Sequence, residues 1–279
     1  MTAVTEALSS AMAEGTVGSR LWMYSNYHCN LVCTYCLTES GPKVARRKLD
    51  PATMLDLARE AKEVGFTGLG ITGGEPFLVP DMPQLLLEMS QVLPVLALTN
   101  GTLFQRALLE RMEVLREADV TLQISLDHPE PEANDVMRGP GNFRKVVEAV
   151  PELLKRGIQV RIATTLEAED ADDLQRLCAL HRGLGVSDDD HVVRPIIKRG
   201  RAETGEMGVV ARYLDLEPEL TVTADGAFWS PFAPTVRKGV LDTDLLLTRT
   251  VRPLQRPLDA MLTVVGGRPE GADSTLNIR

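Results

Sequence analysis

The sequence predicts an α/β fold, a partial (β/α)6 barrel of TIM-like type followed by a short C-terminal cap containing a β-hairpin. Three observations predict it. Apolar runs of strand length alternate six times with longer segments of helical periodicity between residues 21 and 204. The connections are short, and successive strands joined through helices must run parallel, because a parallel neighbour is reached only by a crossover of fixed hand. Beyond Gly200 the alternation stops, and Leu220 to Thr223, Ala224-Asp225-Gly226 and Ala227 to Trp229 spell a hairpin instead. The resulting division is a mobile leader over 1–20, the barrel over 21–204 and the cap over 205–279.

Leu21 to Tyr27, aromatic-rich and bounded by turns, is the first strand, and a cysteine loop follows it. Asp50 is a helix N-cap with Pro51 at the first helical position; Leu55, Ala58, Ala61, Lys62 and Val64 recur at helical spacing until Gly65 stops them. Strand two is Gly68 to Thr72, then a helix from Met82 to Leu93, a strand Val95 to Thr99, a helix Phe104 to Arg116 and a strand Val120 to Ser125. Asn142 to Arg156 places Val146, Val147, Val150, Leu153 and Leu154 on one face, and Gly157 closes it. Ile158 to Thr165 is the fifth strand, Asp172 to Leu184 the fifth helix and Val192 to Ile197 the sixth strand. The polar end, Gly266 to Arg279, is expected to fray.

A content of 44% hydrophobic and 25% charged residues, with 22 Gly and 17 Pro, excludes a disordered, collagen-like or coiled-coil chain. The net charge of −9, from 39 acidic and 30 basic residues, argues against sequence-independent nucleic-acid binding, which needs a basic surface. No window approaches the ~20 apolar residues of a membrane span. Glu6 and Glu14 interrupt what a secretory signal would keep apolar. A cytoplasmic chain without membrane or nucleic-acid partner is expected.

Of the 4 cysteines, Cys29, Cys33 and Cys36 crowd into one loop, a density suited to zinc or an iron–sulfur cluster. Three thiolates leave one corner of a four-iron cubane open, as a catalytic metal requires. His28 adjoins Cys29 and makes an awkward fourth zinc ligand, and structural zinc ligands usually come as two separated pairs. On spacing alone the cluster stands ahead of zinc and of an inert thiol loop, which remain alternatives. Cys178 reads as a buried free thiol within the fifth helix, and His128, His181 and His191 share no spacing.

Cys29-x-x-x-Cys33-x-x-Cys36 with Tyr35 before the last cysteine resembles the signature of radical S-adenosylmethionine (radical SAM) enzymes. Thr72-Gly73-Gly74-Glu75-Pro76 ends the second strand, Leu98-Thr99-Asn100-Gly101 the third and Ile124-Ser125-Leu126-Asp127 the fourth, as in that family. Asn134-Asp135-x-x-Arg138-Gly139 and Gly141-Asn142-Phe143 extend the likeness to the subgroup with C-terminal SPASM/twitch extensions, which includes sulfatase-maturing and peptide-modifying enzymes. The match runs from about Leu21 to Ala202.

The resemblance implies a [4Fe–4S] cluster on Cys29, Cys33 and Cys36 whose open iron binds the methionine amine and carboxylate of S-adenosylmethionine. One electron then cleaves the sulfonium to a 5′-deoxyadenosyl radical, which abstracts hydrogen from the substrate. It further implies that Tyr35 lies near the adenine, that Gly73, Gly74 and Glu75 serve the methionine ammonium, and that Asn100 and Ser125 contact the cofactor. Arg138 is implied to reach the methionine carboxylate, and a reducing partner such as flavodoxin or ferredoxin is implied by the electron.

Position at strand ends makes Asp127 and Thr165 candidates for facing the substrate, although β-propensity explains the threonine equally well. Arg194, Lys198, Arg199 and Arg201, a basic run at the end of strand six, are expected either to engage an anionic group or to form a solvated loop. The chain departs from the subgroup after its Asp225-Gly226 hairpin: Ser230-Pro231 stands where relatives place cysteine, and no cysteine follows Cys178. The expected cap is therefore degenerate and lacks an auxiliary cluster, which favours a small biosynthetic substrate over a peptide. Oxidoreductase, transferase and isomerase outcomes stay open, and a non-catalytic zinc or cluster-binding scaffold is the alternative of a different class.

Overall fold

In the computed structural model, which describes residues 3–167, 171–212 and 215–266, six parallel strands stand side by side in chain order. They are β1 (Arg20–Tyr24), β2 (Gly68–Thr72), β3 (Val95–Thr99), β4 (Val120–Ser125), β5 (Gln159–Leu166) and β6 (His191–Pro195). The helices are α1 (Ala3–Ala13), α2 (Pro51–Val64), α3 (Met82–Ser90), α4 (Arg106–Met112), α5 (Pro131–Arg138), α6 (Asn142–Lys155), α7 (Ala171–Leu184), α8 (Arg201–Thr204) and α9 (Gln255–Val265). The bounds of α2 have the chemistry expected of them. The Asp50 carboxylate accepts from Thr53 N at 3.2 Å, Pro51 needs no partner for an N–H, and Gly65 ends the helix at φ 109°.

Period-two alternation sorts the strand residues into two layers. Leu21 and Met23 of β1, Leu69 and Ile71 of β2, and Leu122 and Ile124 of β4 join the core beneath the helices. Their alternates Trp22, Tyr24, Thr72 and Ser125 line a cavity on the other face. This cavity is touched by the C-terminal end of every one of the six strands, through Tyr24, Thr72, Leu98, Ser125, Thr165 and Arg194. A flat sheet cannot bring its first and sixth strands to one cavity, so the sheet curls into a partial barrel.

One expectation about the chain ends requires correction. The leader, expected to be mobile, forms α1, whose Leu8 is wholly buried with Ala11 and Val17 in the common core. Its small, weakly amphipathic residues concealed a helix that tertiary packing stabilises. The expected cap hairpin forms, β7 (Thr221–Thr223) pairing antiparallel with β8 (Gly226–Phe228), and it extends the barrel sheet: β7 pairs parallel with β1, and a later strand, Leu246–Thr248, pairs with β8. Between them lie β9 (Val236–Arg237) and β10 (Val240–Leu241), so Leu246–Thr248 is β11 in a nine-stranded sheet. The expected fraying over Gly266 to Arg279 falls, beyond residue 266, outside the described residues. No helix among those residues is long and apolar enough to cross a membrane.

Candidate active site

The turn after β2 is sewn to the stretch leading into the cysteine loop. Gly74 N donates to Asn26 O at 3.0 Å and Glu75 N donates to His28 O at 3.0 Å. A Cβ on Gly73 would stand 2.5 Å from Asn26 O, and one on Gly74 would stand 2.1 Å from His28 O. The glycines are thus demanded by the chain's own backbone, which here fixes the first cysteine relative to the sheet.

Glu75 is wholly buried. Its carboxylate accepts from Thr99 Oγ1 at 2.8 Å, Asn100 N at 2.9 Å and Phe77 N at 3.1 Å, joining the ends of β2 and β3. Burial pushes its carboxyl up, and these donors oppose that shift. Asn100 continues the network, donating through Nδ2 to Asn30 Oδ1 at 2.9 Å and toward Cys29 Sγ at 3.5 Å. Leu31 N also points at Cys29 Sγ, at 3.4 Å. Such donors to sulfur are a recognised influence on iron–sulfur centres.

The opposite flank of the loop is held by a buried ion pair. Arg138 Nη1 lies 2.9 Å from Asp127 Oδ2, with side-chain exposures of 7% and 0%. Tyr35 OH donates to the same oxygen at 2.5 Å and contacts Arg138 Nη1, while Thr165 N donates to Asp127 Oδ1 at 2.9 Å. Asn134 Oδ1 accepts from Asp127 N at 3.1 Å, and its Nδ2 reaches Asn142 Oδ1 at 2.9 Å, tying α5 and α6 to the end of β4. Thr34 N donates to Met137 O at 2.9 Å, which clamps the cysteine loop to α5.

All three loop cysteines line one cavity of about 290 Å³. Its lower wall carries the Trp22 indole, seated over Gly70; a Cβ at residue 70 would come 2.2 Å from Trp22 Cε3. Pro231 and Phe232 of the cap wall one side, and Tyr24 OH donates to Pro231 O at 2.6 Å. Of the expected cofactor residues, Tyr35, Gly73, Gly74, Asn100, Ser125 and Arg138 line the cavity. Glu75 does not, and all its accepted bonds come from the chain, so its place is behind the wall.

Of the expected substrate residues, Thr165 and Arg194 line the cavity and Asp127 does not. Asp127 is occupied by Arg138, Tyr35 and Thr165. The basic run divides. Arg199 turns away, giving Nε to Thr235 at 2.6 Å and both Nη atoms to Asp244. Arg201 reaches the wall but spends Nε on Cys33 O and Nη2 on Ser40 O, each at 2.7 Å, as a brace for the cysteine loop. Lys198 lies off the cavity. The Arg194 side chain makes no hydrogen bond or ion pair among the described residues; burial pushes its pKa down, and the charges of Tyr35 and Asp127 oppose that shift. Spacing in sequence could not reveal that successive cations after β6 face different ways.

Sequence reasoning missed Glu219, just before β7, which lines the cavity and whose carboxyl is pushed up by burial. Its signal was slight: a lone acid before a short strand. Cys178 is half-buried rather than buried, 3.6 Å from His191 Nδ1, and His181 stacks edge-on to His191 at 4.4 Å, so histidines without common spacing meet in space.

The donor set fits a cluster. Burial pushes the Cys29 thiol up to about 12 and raises that of Cys33, so their thiolates need a compensating cationic centre. The three thiols line one cavity, and a cubane takes each thiolate at a separate corner and leaves the fourth open.

Residues 23–180 match the family model of the radical SAM superfamily, more than half of the chain. The chain belongs to that superfamily. Radical SAM enzymes use a [4Fe–4S] cluster and S-adenosylmethionine. A probable GTP 3′,8-cyclase of Archaeoglobus fulgidus is 31% identical over 145 residues, covering 52% of this chain and 47% of that protein. The mycofactocin maturase MftC of Mycolicibacterium smegmatis is 30% identical over 163 residues, 58% of this chain and 41% of its own length. The matched stretch thus spans less than half the length of these curated relatives. Among solved structures, Streptococcus suis SuiB bound to S-adenosylmethionine aligns with TM-score 0.56 at 18% identity, covering 68% of this chain and 44% of SuiB. SuiB bound to its precursor peptide SuiA aligns with TM-score 0.65 at 14% identity, covering 94% and 69%. At such identities the likeness is one of fold.

Proposed function

We propose that this radical SAM chain reductively cleaves S-adenosylmethionine at a single [4Fe–4S] cluster on Cys29, Cys33 and Cys36, and takes hydrogen from a small, anionic biosynthetic substrate. The observation that carries this reading is one cavity lined together by three cysteines, the Gly73-Gly74 turn and the ends of six parallel strands. When bound, the cluster and S-adenosylmethionine supply an electron and a 5′-deoxyadenosyl radical able to abstract hydrogen.

The chain's own contribution is position and exclusion. Gly73, Gly74, Asn100 and Ser125 present backbone and short polar groups to the cofactor, and Glu75 acts from behind by fixing both turns. Arg138 has Nη1 engaged by Asp127 and a buried Nε without a partner, leaving N–H capacity for a carboxylate. Tyr35, anchored by Asp127, adds an aromatic wall. Arg194 is the residue for an anionic substrate group, since its side chain lines the cavity and has no hydrogen-bond or ion-pair partner among the described residues.

A cavity of about 290 Å³ sits at the low end of the roughly 300–1,000 Å³ of small-molecule pockets, and a shared cofactor leaves room for a small substrate. The second reading, a peptide side chain, is supported by the fold shared with SuiB, whose complex holds the precursor peptide SuiA. An acidic flavodoxin- or ferredoxin-type donor and a cytoplasmic setting complete the proposal.

Anaerobic reconstitution, reduction and addition of S-adenosylmethionine with candidate substrates, followed by mass spectrometry for 5′-deoxyadenosine and altered product, is the test. Cleavage with conversion of a small acid is expected. Conversion of peptides alone would establish the second reading, and a full cluster without any cleavage would leave a scaffold.

A further inference from the structure

Residues 42–48 read Pro-Lys-Val-Ala-Arg-Arg-Lys, four cations and no acid in a chain of net charge −9. The fold places this run against the cysteine loop. Cys29 N donates to Gly41 O at 3.3 Å, Tyr27 N donates to Arg47 O at 3.2 Å, and a Cβ on Gly41 would stand 3.4 Å from Val32. Arg47 is committed, paired with Asp225 at 3.1 Å and lying over the Tyr27 ring at 4.6 Å. Lys43, Arg46 and Lys48 are exposed, and no hydrogen bond or ion pair engages their side chains among the described residues.

Val32, 58% exposed, lies against this run at Gly41, and Val136, 75% exposed, stands on α5. Both belong to segments that hold the loop, because Thr34 N bonds to Met137 O and Cys33 Sγ lies 3.6 Å from Arg138 O. Within the loop itself, Leu31, Cys33 and Cys36 line the cavity while Val32 and Thr34 face solvent. The loop therefore has an inner side toward the cavity and an outer side bearing an exposed valine beside unpaired positive charge, a composition suited to a transient protein interface.

We infer that Lys43, Arg46 and Lys48, with Val32, form the docking surface of an acidic one-electron carrier protein. The inference rests on the reading of the cysteine loop as a cluster site. A protein donor cannot enter a cavity of small-molecule size, so its electron must arrive from the outer side, where this patch is. In the step, the carrier loses one electron and the cluster gains one; no bond forms or breaks. Three free cations are too few for strong sequence-independent nucleic-acid binding, which needs many phosphate contacts, but they suffice to steer an acidic protein.

The test uses the reconstituted chain and reduced flavodoxin as the probe, with cluster reduction followed by electron paramagnetic resonance and binding by calorimetry over a range of salt. Lys43→Glu/Arg46→Glu/Lys48→Glu should slow reduction by flavodoxin about tenfold or more, weaken binding to the same degree and remove its salt dependence. Reduction by dithionite, which needs no docking, should be unchanged, as should iron content and melting temperature. Lys43→Gln/Lys48→Gln should give an intermediate loss. Unchanged flavodoxin kinetics in the triple variant would overturn the assignment, as would a patch that binds duplex RNA instead. Failure of dithionite-reduced wild type to cleave S-adenosylmethionine would count against the catalytic reading and leave the docking result standing.

Discussion

The two walls of the cavity are built on opposite plans. Where β1, β2 and β3 end, polar groups are bonded chiefly to one another: Glu75 accepts three bonds from the chain, and Asn100 joins Asn30, Thr102 and Cys29. Where β6 ends, the Arg194 side chain faces the cavity without hydrogen bond or ion pair among the described residues. On the proposed function the difference would separate two tasks: a wall for the cofactor is best held rigid in advance, whereas a wall for a substrate must keep capacity that only the ligand satisfies.

The sharpest break in this comparison is Cys33→Ala, which should abolish S-adenosylmethionine cleavage and lower bound iron, with Cys178→Ala retaining both. Arg138→Ala should follow, because it strands the Asp127 carboxylate in the interior; loss of one partner of a buried pair costs about 3–5 kcal/mol. Thermal unfolding of the cluster-free chain would register that loss, and an unchanged transition would remove Arg138 from the bonded wall. Glu75→Gln replaces an acceptor of three bonds and should cost about 1.5–3 kcal/mol, with weaker S-adenosylmethionine binding as the turns loosen.

On the open wall the signature reverses. Arg194→Gln should leave stability within about 0.5 kcal/mol and raise the apparent substrate constant about tenfold, while substrate-free cleavage persists. Equal losses of stability and substrate affinity there would erase the distinction between the walls. A separate, pH-dependent effect lies behind β6, where burial holds His181 down at about 4 against an ordinary 6.5. Its folded form resists protonation, so its contribution is complete above pH 6.5 and falls as pH drops from 6.5 toward 4, by at most about 1.4 kcal/mol per pH unit. His181→Leu should flatten that part of the stability profile.

The sequence was most legible where pattern and covalent adjacency coincide. Strands Gly68–Thr72, Val95–Thr99 and Val120–Ser125 stand where alternation placed them, because their apolar period meets a two-sided environment. The three cysteines were legible for the same reason, being neighbours in one loop. The roles of Asp127 and Arg199 were not, since each depends on partners far along the chain: Arg138 across α5 for the first, Asp244 in the cap for the second. Glu219 was hidden likewise, because nothing local announces that β7 will pair with β1. The helix α1 was lost to its own composition, rich in Ala and Ser, and is recovered only through the burial of Leu8.

The Trp22 ring fills the volume that a side chain at residue 70 would otherwise occupy. Positions 22 and 70, paired across β1 and β2, therefore behave as a single adjustable plug, two residues before the strand ends Tyr24 and Thr72. Trimming the indole lengthens the well, and restoring bulk at residue 70 shortens it again, in both cases leaving Gly73, Gly74 and the loop they secure untouched. On the proposed function, reach toward a substrate and the capacity to make a radical would thus be separable traits, the first free to drift without endangering the second.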